Sequence, residues 1–345
     1  MLERRKSEHL QINLEKDVSF PRLRTGLDRY RFTHNALPEI SLEQVDTTTT
    51  FLGKQLRLPL LISSITGGTA DARRINYHLA EGAQAAGIAM GLGSLRAALE
   101  TPHLAETFHV RALAPDILLF ANLGAAQLGT ESALEACQKA VDLTEADALI
   151  IHLNPLQEAL QSNGNTDWRG ILSRIEHVCR HLEVPVIVKE VGWGISDDVA
   201  LRLAGVGVSA IDVAGSGGTS WSQVEMHRAR TRRLRQLSEQ FADWGIPTAE
   251  SLIEVRTALP EMPIVASGGL RSGMDLAKVL ALGANLGGVA GPFLQAANKS
   301  AADVASLAQE IGDVLSTVMF CLGIRDIDSL RDRSLLRSTS PEHSG

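Results

Sequence analysis

Eight short apolar runs, most of them separated by segments of helical period, predict a (β/α)8 barrel for this 345-residue chain. The runs are rich in Val, Ile, Leu and Ala and lack polar alternation, as parallel strands covered on both faces require. At 44% hydrophobic residues the chain can bury a core large enough for one such barrel or for two smaller domains. A doubly wound open sheet, the alternative, normally carries a G-x-G-x-x-G turn after an early strand. The nearest match, Gly91 to Gly93, lacks the third glycine at that spacing.

Taken in order, residues 1–57 read as an arm and entry segment, 58–322 as the barrel and 323–345 as a C-terminal tail. Residues 1–45 are charged, without a long periodic segment, and read as irregular. Residues 46–51, with four consecutive threonines, suit a short strand or hairpin because β-branched side chains favour pleated backbone. Strands are expected at 60–65, 88–93, 117–123, 148–153, 186–191, 210–214, 263–267 and 286–290. Helices are expected at 73–86, 102–113, 132–145, 168–182, 197–203, 249–259 and 273–282, with a long last one at 301–321. Residues 220–247, an insertion after the sixth strand, contain R-A-R-T-R-R-L-R and read as a basic solvated helix, with a lid or subunit contact as the functional alternative. The end of the chain, 338–345, is polar with Pro and Gly and is expected to be disordered.

Composition narrows the function. A net charge of −7 and a pI near 5.8 argue against a nucleic-acid surface while leaving room for local phosphate sites. No apolar run approaches the ~20 residues of a membrane helix, and the N-terminus lacks the apolar core of a signal peptide, so a cytoplasmic location is expected. Cys137, Cys179 and Cys321 are far apart within helical patterns and read as reduced core thiols.

In a barrel, residues after each strand converge on one face, so the chain can be read as a ring. The first strand ends S-S-I-T-G-G-T, the second G-S-L-R with Ser94 and Arg96, and the third A-N-L-G with Asn122. The fourth ends H-L-N-P-L-Q-E, concentrating His152, Asn154, Gln157 and Glu158 within seven residues. Lys189 lies at the end of the fifth strand; a buried ammonium there suits an anionic cofactor, with a structural ion pair to another strand-end carboxylate as the alternative, since alternation turns neighbouring Glu190 to the other face. The sixth, seventh and eighth strands end A-G-S-G-G-T-S, S-G-G-L and A-G-P, a set suited to hold phosphate on backbone N–H groups. Asn122 and Lys189 beside such a cradle fit a flavin better than a phosphosugar.

These motifs, together with R-K-S-E-H at Arg5 to His9, V-K-E-V-G-W-G-I-S and S-G-G-L-R-S-G, make the chain resemble the type 2, FMN-dependent isopentenyl-diphosphate delta-isomerases over nearly its whole length. Ile65 and Leu95 stand where many relatives have methionine and glutamine. The resemblance implies reversible conversion of isopentenyl to dimethylallyl diphosphate, with reduced FMN as acid/base, NADPH as reductant and Mg2+ on the diphosphate. It implies FMN on Ser64, Ile65, Thr66, Ser94, Asn122, Lys189, Thr219, Gly268, Gly269, Leu270, Ala290 and Gly291. It implies substrate on Arg5, Lys6, His9, Ser94, Arg96, His152, Asn154 and Gln157, with Gln157 and Glu158 in catalysis and Glu158 as the metal ligand. A homotetramer or larger is also implied.

Overall fold

A computed structural model of the protein describes residues 2–129 and 132–339. Eight parallel strands close into a barrel: β1 (Leu60–Ile62), β2 (Ala89–Gly91), β3 (Leu119–Gly124), β4 (Ala148–Leu153), β5 (Val186–Glu190), β6 (Ala210–Asp212), β7 (Ile264–Ser267) and β8 (Leu286–Val289). Strands consecutive in sequence are neighbours in the sheet, and β8 closes the ring beside β1 with Gly288 opposite Leu61. Each run expected as a strand is one, most of them trimmed where loops begin.

Period two sorts the strand residues. Leu61, Ala89, Phe120, Ile150, Ile187, Ala210, Val265 and Leu286 belong to one buried cluster inside the barrel. Their neighbours Leu60, Ile62, Leu119, Ile151 and Val188 belong to a second, beneath the helices. Phe51 and Leu56 join the inner cluster from a hairpin, Thr49–Phe51 with Lys54–Leu56, and plug the lower end. Lys54 Nζ fastens this plug, donating to the Ile117 carbonyl at 2.9 Å and to Asp147 at 3.3 Å, while Arg111 holds Asp147 at 2.8 Å. Two residues further up, the inward columns reach Ser63, Gly91, Asn122, His152, Lys189, Asp212, Ser267 and Gly288. The floor of the upper mouth is therefore polar by register alone.

The helices outside follow the expected series. Ala70–Ala86 is opened by Thr69, whose Oγ1 accepts from the Ala72 N–H at 3.1 Å, and closed by Gly87 at φ 66°. Ala301–Leu322 packs against it. This last helix is long and apolar enough to cross a membrane by length and composition, contrary to the expectation of no such run. Asp303, Glu310 and Asp313 interrupt it, however, and its buried residues, Val304, Ala308, Ile311 and Leu315, form a core-facing stripe.

Four further sequence expectations need correction. The arm is not irregular throughout: Leu2–Glu15 is a helix. Its period is carried by polar residues, with Arg5, Lys6, His9 and Asn13 bordering one cavity and Leu10 as the buried apolar anchor. Residues 102–113 form 3-10 turns, Pro102–Phe108 and Arg111–Leu113, instead of an α-helix. The Thr107 hydroxyl donates to the Leu104 carbonyl at 2.7 Å and accepts from the Gly68 N–H at 2.9 Å, and its carbonyl accepts from Asn76 at 2.9 Å, so this turn is committed to its neighbours. The insertion forms two helices, Trp221–Arg228 and Arg232–Gln240. The second is exposed as a basic run should be, but the first buries Val224 and Glu225. Finally, Ser338 lies in a strand, Leu336–Ser338, paired antiparallel with Tyr30–Phe32; residues 340–345 of the expected disordered end lie outside the described residues.

Candidate active site

Above the polar floor lies a cavity of about 550 Å³. The structure brings every expected site residue to its wall. Arg5, Lys6 and His9 come down from the N-terminal helix. Ser64, Ile65 and Thr66 follow β1, Ser94 and Arg96 follow β2, and Asn122 lies in β3. His152, Asn154, Gln157 and Glu158 come from the end of β4, Lys189 from β5 and Thr219 from the loop after β6. Gly268, Gly269 and Leu270 follow β7, and Ala290 with Gly291 follow β8. Ser63, Gln161, Trp221 and Arg271 line the same space without having been anticipated.

One side of the cavity is nearly bare backbone. A Cβ on Gly268, which sits at φ 101°, would lie 2.0 Å from the Gly215 carbonyl oxygen, and one on Gly218 would lie 2.5 Å from the Gly269 nitrogen. Only glycine lets these loops interleave. At Gly291, by contrast, a Cβ would meet nothing within 4 Å, so that backbone faces open space. The buried Ser63 and Ser64 hydroxyls and Asn154 Oδ1 line the cavity and have no hydrogen-bond partner. Orphaned polar atoms cost free energy, so their clustering here fits a polar ligand, and the bare backbone fits its phosphate. An FMN-like group matches both.

The charges are arranged around that space. Lys189 is buried and donates to the Glu190 backbone carbonyl, not to its carboxylate. The Glu190 side chain points away, as alternation requires, and accepts from the N–H groups of Val191, Gly192 and Trp193 at 2.6, 2.7 and 2.6 Å. Burial pushes this carboxyl up to about 7 in spite of those bonds. Asp212, opposite Lys189 in the β5–β6 register, is likewise raised by burial, partly offset by Lys189, and accepts from Ser267 at 2.7 Å. His152 is pushed down to about 3 by burial and then by the nearby Lys189 and Lys6, so the ring is neutral; Nδ1 meets Asn122 Oδ1 at 2.7 Å. At the mouth, burial and then the charges of Arg5 and Arg96 bring Lys6 down to about 7. Its ammonium donates to the Ser94 carbonyl at 2.6 Å and stands 5.3 Å above the Phe108 ring. Three cations brought this close suit a multiply charged anion.

Opposite the glycine wall, Asn154 Nδ2 donates to Gln157 Oε1 at 3.1 Å and to Glu158 Oε1 at 3.2 Å. Glu225, a residue sequence reading missed, is the hub above them. Its Oε1 accepts from His9 Nε2 at 3.0 Å and from Gln157 at a long 3.5 Å, and its Oε2 pairs with Arg228 at 2.6 Å. Burial works against the Glu225 carboxylate, but His9 and Arg228 hold it below its ordinary value. Burial, followed at a distance by Arg228 and Arg5, keeps His9 below its own in spite of Glu225. Among the described residues no group of three or more His, Cys, Asp or Glu side chains could hold a metal. Glu158 and the orphaned Asn154 oxygen instead suit a cation that takes most of its ligands from a phosphate. The thiols are free, and burial pushes Cys137 up to about 12 and Cys179 to about 11, consistent with inert core positions.

The FMN-dependent dehydrogenase family matches residues 1–106 and 127–337, which sets the class: an FMN-dependent parallel barrel. Solved structures of flavocytochrome b2 (TM-score 0.72, 18% identity, covering 98% of this chain and 85% of that one) and mandelate oxidase (TM-score 0.66, 21% identity, 96% of each) share the fold. Much nearer in sequence are proteins named isopentenyl-diphosphate delta-isomerase. That of Synechococcus sp. is 54% identical over 336 residues, covering 97% of each chain. That of Nostoc sp. is 51% identical over 333 residues, covering 96% of this chain and 95% of the relative. The chain belongs to the FMN-dependent isopentenyl-diphosphate delta-isomerase family.

Proposed function

We propose that the enzyme converts isopentenyl diphosphate reversibly to dimethylallyl diphosphate. The observation that carries this reading is that one cavity joins a glycine-walled cradle and buried Lys189 to the cation trio Arg5, Lys6 and Arg96. In the reaction the terminal carbon of the alkene gains a proton, and the carbon beside the oxygen-bearing methylene loses one. Bound FMN, reduced by NADPH, supplies the acid/base for those transfers. Ser64 to Thr66, Ser94, Asn122, Thr219, Gly268 to Leu270, Ala290 and Gly291 hold it, and Lys189 offers its ring a cation.

The remaining residues bind, orient and exclude water. Arg5, Lys6, His9, Ser94, Arg96, His152 and Asn154 hold the diphosphate, with neutral His152 fixed by Asn122. Glu158 holds Mg2+, which neutralises and orients the diphosphate. Gln157, kept between Asn154 and Glu225, positions or relays the proton at the alkene. The N-terminal helix, anchored by buried Leu10, covers the cavity and keeps the reacting carbons dry. A 2-hydroxyacid oxidase, the rival on the same barrel, requires a histidine base and an arginine clamp after the sixth strand, where this chain reads Gly215-Ser216-Gly217-Gly218-Thr219.

Anaerobic incubation in heavy water with FMN, NADPH, Mg2+ and isopentenyl diphosphate, followed by proton NMR, tests this. Deuterated dimethylallyl diphosphate is expected, and it should be lost when FMN is omitted or in Gln157→Ala. An unchanged alkene beside bound, reduced flavin would sink the reading.

A further inference from the structure

We infer that Asn165 is a positioning residue for the metal-binding carboxylate, holding Glu158 through a turn that the sequence cannot replace with bulkier residues. The inference rests on the reading of Glu158 as the Mg2+ ligand. Glu158 lies in the short helix Pro155–Leu160, and the chain returns over it through a turn in which Asn163 adopts φ 62°. The Asn165 backbone N–H donates to Glu158 Oε2 at 2.6 Å, while Asn154 donates to Oε1 at 3.2 Å. Each carboxylate oxygen therefore has a donor on a different segment, which fixes the plane it presents to the cavity.

Every polar group of Asn165 is committed to keeping that N–H in place. Its Nδ2 donates to the Ala126 carbonyl after β3 at 3.1 Å, its Oδ1 accepts from the Asp167 N–H at 3.1 Å, and its carbonyl accepts from Trp168 Nε1 at 3.1 Å. Gly164, the residue before it, has no room for a side chain: a Cβ would lie 1.8 Å from the Glu158 carbonyl oxygen. The turn thus ties the carboxylate of the helix after β4 to the β3 loop. Outer partners of a metal ligand set its orientation, and their loss typically costs 10- to 100-fold in metal affinity.

The test uses holoenzyme with Mn2+ as the paramagnetic probe and inorganic diphosphate, reading bound metal by EPR, alongside FMN affinity and the metal dependence of turnover. Asn165→Ala is expected to weaken Mn2+ about tenfold, with unchanged FMN affinity and a larger effect on the metal concentration for half-maximal rate than on kcat. Gly164→Ala should act in the same direction, and Ser162→Ala, exposed in the same turn, should not. If Glu158→Gln loses Mn2+ while Asn165→Ala binds it like the unmodified enzyme, the inference is overturned and the reading of Glu158 stands. If Glu158→Gln binds Mn2+ undiminished, the underlying reading fails, and this inference with it.

Discussion

The floor and glycine wall of the cavity are made of strand ends, whereas its roof is made of two helices, Leu2–Glu15 and Trp221–Arg228, joined by charge. On the floor, each inward residue is fixed by the sheet ladder two positions above a core residue, as Lys189 is above Ile187 and His152 above Ile150. In the roof, position depends on His9 with Glu225 at 3.0 Å, Arg228 with Glu225 at 2.6 Å and Arg228 with Glu8 at 3.3 Å. The first kind of site cannot be altered without disturbing the barrel. The second can be loosened while the barrel stays intact. Damage to the floor should therefore appear in cofactor affinity and stability together, and damage to the roof in substrate handling alone.

The largest effect is expected for Gly268→Ala, which puts a side chain at φ 101° and 2.0 Å from the Gly215 oxygen. Backbone strain of this kind is worth about 1–3 kcal/mol before the collision is counted. A flavin fluorescence titration and a thermal melt should show FMN affinity and Tm falling together. Normal values for both would mean that the wall is not rigid, and the contrast with the roof would collapse.

Glu225→Gln comes next. It removes the charge shared by His9 and Arg228, leaving Arg228 to Glu8; hydrogen bonds to charged groups contribute about 1.5–3 kcal/mol, so kcat/KM should fall by roughly 10- to 100-fold. FMN affinity should stay unchanged, and a parallel loss of flavin would show that roof and floor are not separable.

A pH series sharpens the contrast. With Lys6 at about 7 in the free site, an anion that favours the ammonium makes the lysine take up a proton on binding. Above that value the affinity for inorganic diphosphate should decline by up to about tenfold per pH unit relative to Lys6→Met, which has no such proton to gain. The same pH profile in both proteins would remove Lys6 from the anion site.

The two regions also differ in how far the sequence disclosed them. The eight strands, their order and the polar strand ends follow from apolar runs and from period two, and the same alternation, carried through every strand, would have added Ser63, Asp212 and Ser267. The glycine wall was legible because glycines follow three successive strands, the pairs Gly217-Gly218 and Gly268-Gly269 and the single Gly291. The roof was not. The N-terminal helix carries its period in Arg5, Lys6, His9 and Asn13, which face a polar cavity, so no apolar stripe announces it. Glu225 lies between Val224 and Met226 in an insertion whose basic composition drew attention to Arg232 and Arg233 instead. Its one local partner, Arg228, makes an i,i+3 pair that any surface glutamate could make, and the partners that place it in the site, His9 and Gln157, lie 216 and 68 residues away.

That misdirection leads to the smallest expected effect. Arg232–Gln240 buries only Ser238, and its N-terminus is capped by Thr231, whose Oγ1 accepts from the Leu234 N–H at 3.3 Å. Among the described residues, no ion pair involves Arg232, Arg233 or Arg235, whereas Arg228, one turn earlier in the chain, holds two. Exposed charges outside a network contribute within about 0.5 kcal/mol. Arg232→Ala combined with Arg233→Ala should leave Tm, FMN affinity and kcat/KM unchanged within error, while Arg228→Ala lowers kcat/KM. If the double variant instead loses activity, the roof extends past Arg228 into the second helix, and the boundary drawn here between a structural charge network and a solvated basic face lies in the wrong place.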